Sequence, residues 1–186
     1  MELQEILNKH REYYLEKFSN YVNSIDDPII ELLIEMPYEE PEEIFRLFRY
    51  DLATKGKEAP NLKEFNADGY LNHQELNFSV NGKTIILAPI GWNGVDITLD
   101  NHSTDISNIV VWATKWLDSK DEKVQDSNKL QGVIHNISKP EKEDDKTTFS
   151  VDFGSAPTEA VLELLDILSK DSKATNIKLD STWMTQ

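Results

Sequence analysis

The chain has 186 residues, and its 34 acidic residues outnumber 19 basic ones, giving a net charge of −15 at neutral pH. This charge argues against direct binding to nucleic acid or to an anionic membrane surface, because both would repel the protein. The absence of cysteine excludes disulfides, thiolate metal sites and a cysteine nucleophile, and no apolar run approaches the ~18 residues of a membrane span.

Apolar residues make up 39% of the chain and charged residues 28%, which is typical of a folded protein. We predict a single α+β domain over residues 1–186. Within it, residues 1–55 form a helical N-terminal layer, and residues 75–180 form a sheet-and-helix core.

Helical spacing of apolar residues dominates the first 55 residues. A long first helix ends at Asp26-Asp27, a second begins at Pro28 and ends at Pro37, and a third begins among the glutamates after Tyr38. The predicted inner face of the first helix consists of Leu3, Ile6, Leu7, His10, Tyr14, Phe18, Val22 and Ile25.

From residue 75 the apolar residues alternate with polar ones, as in strands. Asn81-Gly82 predicts a type I′ hairpin turn, because both central residues of that turn need a positive φ. A second tight turn is predicted from Gly91 to Gly94, which completes a three-stranded meander. Its strands are predicted at 76–80, 84–87 and 95–99.

The C-terminal half alternates between strands and helices. The predicted elements are a helix at 105–118, a strand at 130–138, a strand at 147–153, a helix at 157–169 and a strand at 176–179. With the strand that ends the meander, the order is β-α-β-β-α-β. This order is the split βαβ arrangement of ferredoxin-like folds.

Catalytic signatures are weak in this sequence. The seven glycines do not follow the spacing of a phosphate-binding loop, and Gly154 to Pro157 predicts an ordinary turn between a strand and a helix. The four histidines lie far apart along the chain. Ser155 does not stand in the Gly-x-Ser-x-Gly pattern of a nucleophile elbow. We therefore assign no catalytic residue and predict that the protein is not an enzyme.

One polar segment carries residue types that could ligate a metal. This segment contains Asp96, Asp100, Asn101, His102 and Asp105 within ten residues, and their oxygen and imidazole groups suit Mg²⁺, Mn²⁺ or Zn²⁺. The same composition is typical of turns and helix caps, because short polar side chains bond nearby backbone groups. We favour the turn, predict neither metal nor cofactor, and keep a metal-dependent enzyme built on Asp96, Asp100 and His102 as an alternative.

Acidic residues concentrate in two further segments, one at a predicted helix start and one in a predicted loop. Each is either a solvated surface or a docking surface for a basic partner. In the second case, charge complementarity would accelerate the association of the partner. Trp92 either folds back on the sheet or supplies an exposed aromatic anchor, a residue type enriched at interface hot spots. The candidate partner-binding residues are Glu39, Glu40, Glu42, Glu43, Trp92, Glu141, Glu143, Asp144 and Asp145.

In overall character the sequence resembles the immunity proteins of bacterial polymorphic-toxin and contact-dependent growth-inhibition systems. The shared features are small size, strong acidity, absence of cysteine, no catalytic signature, and an acidic N-terminus that predicts no secretory signal. An α+β plan in which Phe149-Ser-Val-Asp-Phe-Gly-Ser-Ala-Pro157 leads into an acidic, apolar helix also looks like such proteins. No residue roles are carried over, because the resemblance covers the chain by character and not by a defining motif.

The resemblance implies a cytoplasmic protein that binds a cognate bacterial toxin domain and blocks its active site or a nearby exosite. Such toxins are often nucleases with basic clefts, which an acidic inhibitor would match. We expect this partner, no direct nucleic-acid or membrane contact, and a monomer or weak dimer. An acidic regulatory or adaptor domain with a different partner is the other alternative.

Overall fold

The structure, a computed structural model, describes residues 1–57, 59–101 and 106–181. Within these ranges the helices are α1 (Leu3–Asn23), α2 (Ser107–Leu117) and α3 (Thr158–Asp171), with one short 3₁₀ helix at Glu43–Arg46. The strands are β1 (Ile29–Glu35), β2 (Leu47–Thr54), β3 (Asn61–Lys63), β4 (Leu76–Val80), β5 (Lys83–Leu87), β6 (Val95–Leu99), β7 (Asn136–Ile137), β8 (Glu141–Glu143), β9 (Lys146–Asp152) and β10 (Asn176–Asp180). The predicted α+β class is confirmed.

The first predicted helix, α1, is confirmed together with its inner face, except that it ends at Asn23 and Ile25 lies beyond it, partly buried. Glu5 Oε2 accepts a hydrogen bond from the Glu2 backbone N–H at 3.0 Å and closes the first turn. Packing of the apolar face stabilises this helix more than intrinsic propensity does. Its buried residues are Leu3, Ile6, Leu7, His10, Tyr14, Phe18 and Val22.

The second and third predicted helices are wrong, because these segments form β1 and β2, paired antiparallel. Three isoleucines give β1 the β-branched composition that strands favour. In the third segment Ile44, Phe48 and Leu52 are four residues apart, a spacing that also fits the two-residue period of a strand. The N-terminal layer is therefore one helix and a small sheet, with only Glu43–Arg46 helical after α1.

Two sheets are present in the described residues. The small sheet has the order β1-β2-β3, and the large sheet has the order β4-β5-β10-β6-β9-β7, with β8 also paired to β9. The hairpin between β4 and β5 is confirmed, since Asn81 and Gly82 have φ of 49° and 77°. The predicted meander is wrong in its last pairing, because β10 lies between β5 and β6.

The split βαβ arrangement is confirmed. The strands β10, β6, β9 and β7 are neighbours in that order, and each adjacent pair is antiparallel. Each βαβ unit therefore has one strand inserted between its two parallel strands. The strand predicted at 130–138 shortens to β7, while Leu130, Val133 and Ile134 stay buried before it.

The two sheets meet where β2 approaches β7. The Arg49 backbone N–H donates to the His135 carbonyl at 2.8 Å, and the His135 N–H donates to the Asp152 carbonyl at 2.8 Å. Charged side chains of β1 and β2 are consequently enclosed against the end of β9. This junction positions the groups described next.

Candidate functional site

An acidic face forms where the segment before the 3₁₀ helix meets the base of the β8–β9 hairpin. Lys139 Nζ donates to Glu40 Oε1 at 2.6 Å, and β8 begins at Glu141, just beyond Lys139. This ion pair joins the two acidic segments predicted from the sequence. The acidic face consists of Glu39, Glu40, Glu42, Glu43, Glu141, Glu143, Asp144 and Asp145, all exposed except the partly buried Glu40.

The β8–β9 hairpin presents half of the acidic face. Asp144 has a φ of 50°, the left-handed conformation that a tight hairpin turn requires, and Glu143 pairs with Lys146 across it. Lys139 and Lys142 lie beside these acids in the chain, so the face has mixed charges with an acidic excess. A short, charged edge strand such as β8 is a poor template for pairing with another sheet.

Trp92 does not belong to this surface. Its side chain is 1% exposed, and its ring centroid lies 5.2 Å from that of Phe153. The turn from Gly91 to Gly94 folds the indole inward, so the exposed-anchor interpretation is wrong. Tyr38, beside Glu39 in the chain, provides an exposed aromatic ring instead: it is 44% exposed, and its hydroxyl donates to the Phe45 carbonyl at 2.7 Å.

A charged cluster of Glu31, Asp51, His135 and Asp152 lies inside the protein at the junction of the two sheets, and sequence reasoning missed it. His135 Nε2 lies 3.0 Å from Glu31 Oε1, and His135 Nδ1 lies 3.1 Å from Asp51 Oδ1 and 3.8 Å from Asp152 Oδ2. Glu31 is 0% and His135 1% exposed. His135 Nδ1 makes no hydrogen bond of good geometry despite these short approaches.

Each carboxylate of the charged cluster also fixes a piece of backbone. Glu31 accepts a hydrogen bond from the Gln131 backbone N–H at 2.6 Å. Asp51 accepts one from the Phe65 N–H at 2.7 Å, and Asp152 accepts one from the Gly154 N–H at 2.8 Å. Hydrogen bonds of this kind offset part of the free energy needed to bury a charge. The cluster therefore connects four loops and strands that are distant in sequence.

Burial and mutual charge set the protonation of the cluster. Burial lowers the pKa of His135, but the carboxylates of Asp152, Asp51 and Glu31 outweigh burial and raise that pKa well above 6.5. Burial raises the pKa of Asp152 to about 7; the His135 cation opposes this change, and Asp51 and Glu31 add to it. A histidine cation is thus held among carboxylates at neutral pH.

Glu31 reaches the cluster through an unusual backbone conformation. Its φ is 56°, in the left-handed region, which costs about 1–2 kcal/mol for a residue with a side chain. Ile30 and Glu31 are both buried, whereas regular strand alternation would place them on opposite faces. Arg49 supports this conformation, because its Nη1 donates to the Glu31 carbonyl at 2.8 Å.

The turn after β9 is shaped around His135. Gly154 has a φ of 45°, and a Cβ atom at that position would lie 2.2 Å from His135 Cδ2, so a larger residue would displace the ring. Ser155 Oγ accepts the N–H groups of Gly132 and Val133 at 2.9 and 3.2 Å. These contacts confirm the prediction of an ordinary turn at this point.

A pocket of about 220 Å³ opens beside the charged cluster, and Asp51 and Asp152 are among the residues that line it. Phe48 and Asn136 line this pocket, and they also line a smaller one of about 190 Å³ beside Tyr38 and Glu40. The pocket and the acidic face are therefore neighbouring parts of one surface.

The segment considered as a metal site is used structurally where it is described. Asp100 accepts the backbone N–H groups of residues 175 and 176 at 2.7 and 3.1 Å, and Asp96 accepts a hydrogen bond from a serine of β9. His102 and Asp105 lie outside the described residues. In the part of the chain that the structure describes, no group of three or more histidine, aspartate or glutamate side chains is arranged to hold a metal ion.

The comparisons with known proteins leave the family open. No protein-family model, no curated protein and no solved structure matches this chain. Among the described helices, none combines the length and the apolar character that crossing a membrane requires. Function is therefore inferred from geometry and charge.

A second buried histidine makes stability depend on pH. His10 Nε2 lies 2.8 Å from His73 Nε2, and this hydrogen bond fastens the segment before β4 to α1. Burial and the nearby His73 lower the pKa of His10 to about 4, while a hydrogen bond involving Ile90 opposes them. The unfolded chain therefore takes up a proton at a higher pH than the folded chain.

We expect the free energy of unfolding to fall by about 2–3 kcal/mol more in the wild type than in His10→Gln between pH 7 and pH 4.5. The sign follows because the unfolded state binds the additional proton throughout this window. Urea titrations at both pH values would measure the difference, and the other titrating groups are common to both proteins. Equal losses in the two proteins would contradict the lowered pKa of His10.

Proposed function

We propose that this chain is an immunity protein that binds and neutralises a cognate bacterial toxin domain in the cytoplasm, as a monomer or weak dimer. The observation that carries the proposal is the Lys139–Glu40 ion pair, which brings two acidic segments distant in sequence together beside the exposed ring of Tyr38. An acidic rim beside an aromatic residue is a suitable docking surface for a basic partner.

The proposed mechanism is occlusion of the partner's active site or of an exosite. In a nuclease the basic cleft attracts phosphates, and the carboxylates of the acidic face would occupy the same field of positive charge. The net charge of −15 would attract such a partner from a distance at low ionic strength. Binding itself is the activity in this mechanism, and no covalent step is needed.

The charged cluster supports a binding role more than a catalytic one. His135, the group suited to acid–base chemistry, is 1% exposed and sits behind Asp51 and Asp152. A catalytic base must reach the proton that it removes within hydrogen-bond distance. Only the two carboxylates of this cluster that line the pocket could meet a partner directly.

Affinity capture from the source cells, with the chain as bait, tests the proposal. The expected result is a stoichiometric, basic protein domain that inhibits growth when it is expressed alone. Capture of a partner without toxic activity would contradict immunity and favour the regulatory or adaptor alternative. Recovery of no partner from source cells that express this chain and its toxin would also contradict the proposed immunity function.

The acidic face can be tested with a charge-matched pair of variants. We expect Glu42→Lys combined with Glu43→Lys to slow association with the captured domain by about tenfold at low salt, because attraction turns into repulsion. Glu12→Lys combined with Glu16→Lys on α1 changes the net charge equally and serves as the control; both positions are exposed. Stopped-flow or surface-based kinetics would supply the rates. Equal rates for the two double variants would remove the acidic face from the interface.

A further inference from the structure

The pocket beside the acidic face has an unusual chemical composition. Its polar lining has three carboxylates, those of Asp51, Glu64 and Asp152, and the amides of Asn66, Asn93 and Asn136. Arg49 also lines the pocket, and its guanidinium donates to the carbonyls of Glu31, Leu117 and Asp118. Asn93 Oδ1 is buried and has no hydrogen-bond donor. The pocket therefore combines one buried acceptor without a donor, Asn93 Oδ1, with three carboxylates.

An occupant of this pocket should carry a positive charge and several donors. Buried acceptors without partners are rare in proteins, and leaving them unpaired costs free energy. Arginine presents five N–H donors on a planar cation and makes paired hydrogen bonds to carboxylates. The aromatic rings of Phe48, Tyr50 and Phe65 also line the pocket, and a guanidinium plane stacks favourably on such rings.

The size and position of the pocket favour a side chain over a free metabolite. Its volume of about 220 Å³ is below the ~300–1,000 Å³ typical of sites for drug-sized ligands. It shares Phe48 and Asn136 with the smaller pocket beside Tyr38 and Glu40, which places it at the edge of the proposed docking surface. A side chain that projects from a docked protein would enter here.

We propose that this pocket receives the guanidinium group of an arginine side chain from the protein partner. The inference rests on the proposed function, because the partner is the toxin domain bound at the acidic face. In the pocket the guanidinium donates to Asp51, Asp152 and Asn93 Oδ1, and Glu64 adds a fourth acceptor at the rim. This arginine is the anchor of the interface, in the role that the sequence suggested for Trp92.

The pocket can be tested without the partner by titrating the isotope-labelled chain with N-acetyl-arginine amide, a probe whose charge is the guanidinium alone. We expect saturable shifts of the amide signals of Asn66, Asn93 and Asn136, with a dissociation constant of roughly 1–10 mM. N-acetyl-citrulline amide has the same shape without the charge, and N-acetyl-lysine amide has a charge without the planar fork. Both should bind at least about fivefold more weakly.

Variants then locate the site. Glu64→Gln removes an exposed carboxylate at the rim, and Asp152→Asn removes an inner one. Each variant should lower the affinity for N-acetyl-arginine amide several-fold. Glu122→Gln, an exposed glutamate elsewhere, is the matched control and should leave the titration unchanged. Absence of saturation, equal binding of citrulline amide, or tighter binding of lysine amide would each overturn the guanidinium assignment.

The affinity for the probe should also depend on pH. Asp152, whose pKa burial raises to about 7, is faced by His135, Asp51 and Glu31, and Tyr14 also interacts with its charge. A cation in the pocket favours the ionised form of Asp152, so that binding of the probe releases a proton from this carboxyl group. The affinity for the probe should therefore rise several-fold from about pH 6 to pH 8. In Asp152→Asn this dependence should disappear, a result that a merely structural role would not give.

A negative titration with N-acetyl-arginine amide and a negative capture experiment would contradict different proposals. If N-acetyl-arginine amide does not bind, the pocket assignment is wrong, while a toxic partner captured at the acidic face still supports immunity. If the amide binds but Glu64→Gln and Asp152→Asn leave the dissociation rate of the captured complex unchanged, the partner's arginine is not the occupant. We expect both variants to raise that rate about tenfold, as for a buried charged anchor.

Discussion

Replacing Arg49 with alanine is expected to lower the free energy of unfolding by about 3–5 kcal/mol. The Arg49 side chain is 0% exposed. Its guanidinium donates to the carbonyls of Leu117, Glu31 and Asp118 at 2.7–2.8 Å and also to Gln131 Oε1. Its removal leaves several buried acceptors without donors, each of which costs about 1–3 kcal/mol.

Two variants make this prediction specific. Arg49→Lys keeps the charge but cannot reproduce the planar set of donors, so most of the loss should persist. Arg46→Ala breaks an ion pair with the exposed Glu35 and should cost about 0–1 kcal/mol. Urea unfolding followed by circular dichroism would give all three values. A loss below about 1 kcal/mol for Arg49→Ala would show that the guanidinium does not hold these loops together.

Replacing Trp92 with alanine should cost a similar amount, about 3–5 kcal/mol, because it leaves a large cavity in the core. The indole is 1% exposed, packs on Phe153 and leaves its Nε1–H without an acceptor. Trp92→Phe should therefore be much milder, since it keeps an aromatic ring and removes the unpaired donor.

The Trp92→Phe variant also tests whether Trp92 acts in the core or in the interface with the partner. We expect Trp92→Phe to fold and to bind the captured partner at the wild-type rate, because the residue contributes no exposed surface. Thermal unfolding and association kinetics on one protein sample measure both effects. Unchanged stability together with slower association would return Trp92 to the interface and contradict its burial.

Elements with a strong local signal could be predicted from the sequence. Asn81-Gly82 has the two residues that most readily adopt positive φ, so the hairpin followed from composition alone. The apolar face of α1 repeats for five turns and fits only a helix. The β-α-β-β-α-β order predicted the split βαβ arrangement, which β10, β6, β9 and β7 form. The strand order of the whole large sheet was not predicted, because the insertion of β10 beside β5 depends on contacts across the whole chain.

Both errors in the N-terminal layer arise because apolar spacing, prolines and glutamates that are typical of helix ends also fit strands and turns. Ile44, Phe48 and Leu52 satisfy a helix and a strand equally. The buried alternating face of β2 is the other one, on which Arg49 and Asp51 lie between Leu47 and Ala53. A buried face occupied by charged residues does not appear as an apolar stripe. Seven of the eight acidic residues of the face are exposed, and Glu40 is partly buried, in keeping with the rarity of acidic side chains in protein cores.

The charged cluster could not be predicted, since Glu31 and His135 are more than a hundred positions apart in the chain. A signal was nevertheless present. Glu31 interrupts a run of apolar residues, and Arg49 and Asp51 stand among apolar neighbours in the next strand. Charged residues inside apolar runs are candidates for buried pairs, because they need partners wherever they are enclosed.

The most direct measurement is growth of cells that express the captured toxin domain together with this chain. The wild-type chain and the Glu12→Lys, Glu16→Lys control should restore growth, whereas Glu42→Lys with Glu43→Lys should restore it poorly at equal protein levels. Restoration that is equal for all three would place neutralisation away from the acidic face. If the folded wild-type chain fails to restore growth, immunity is not its function.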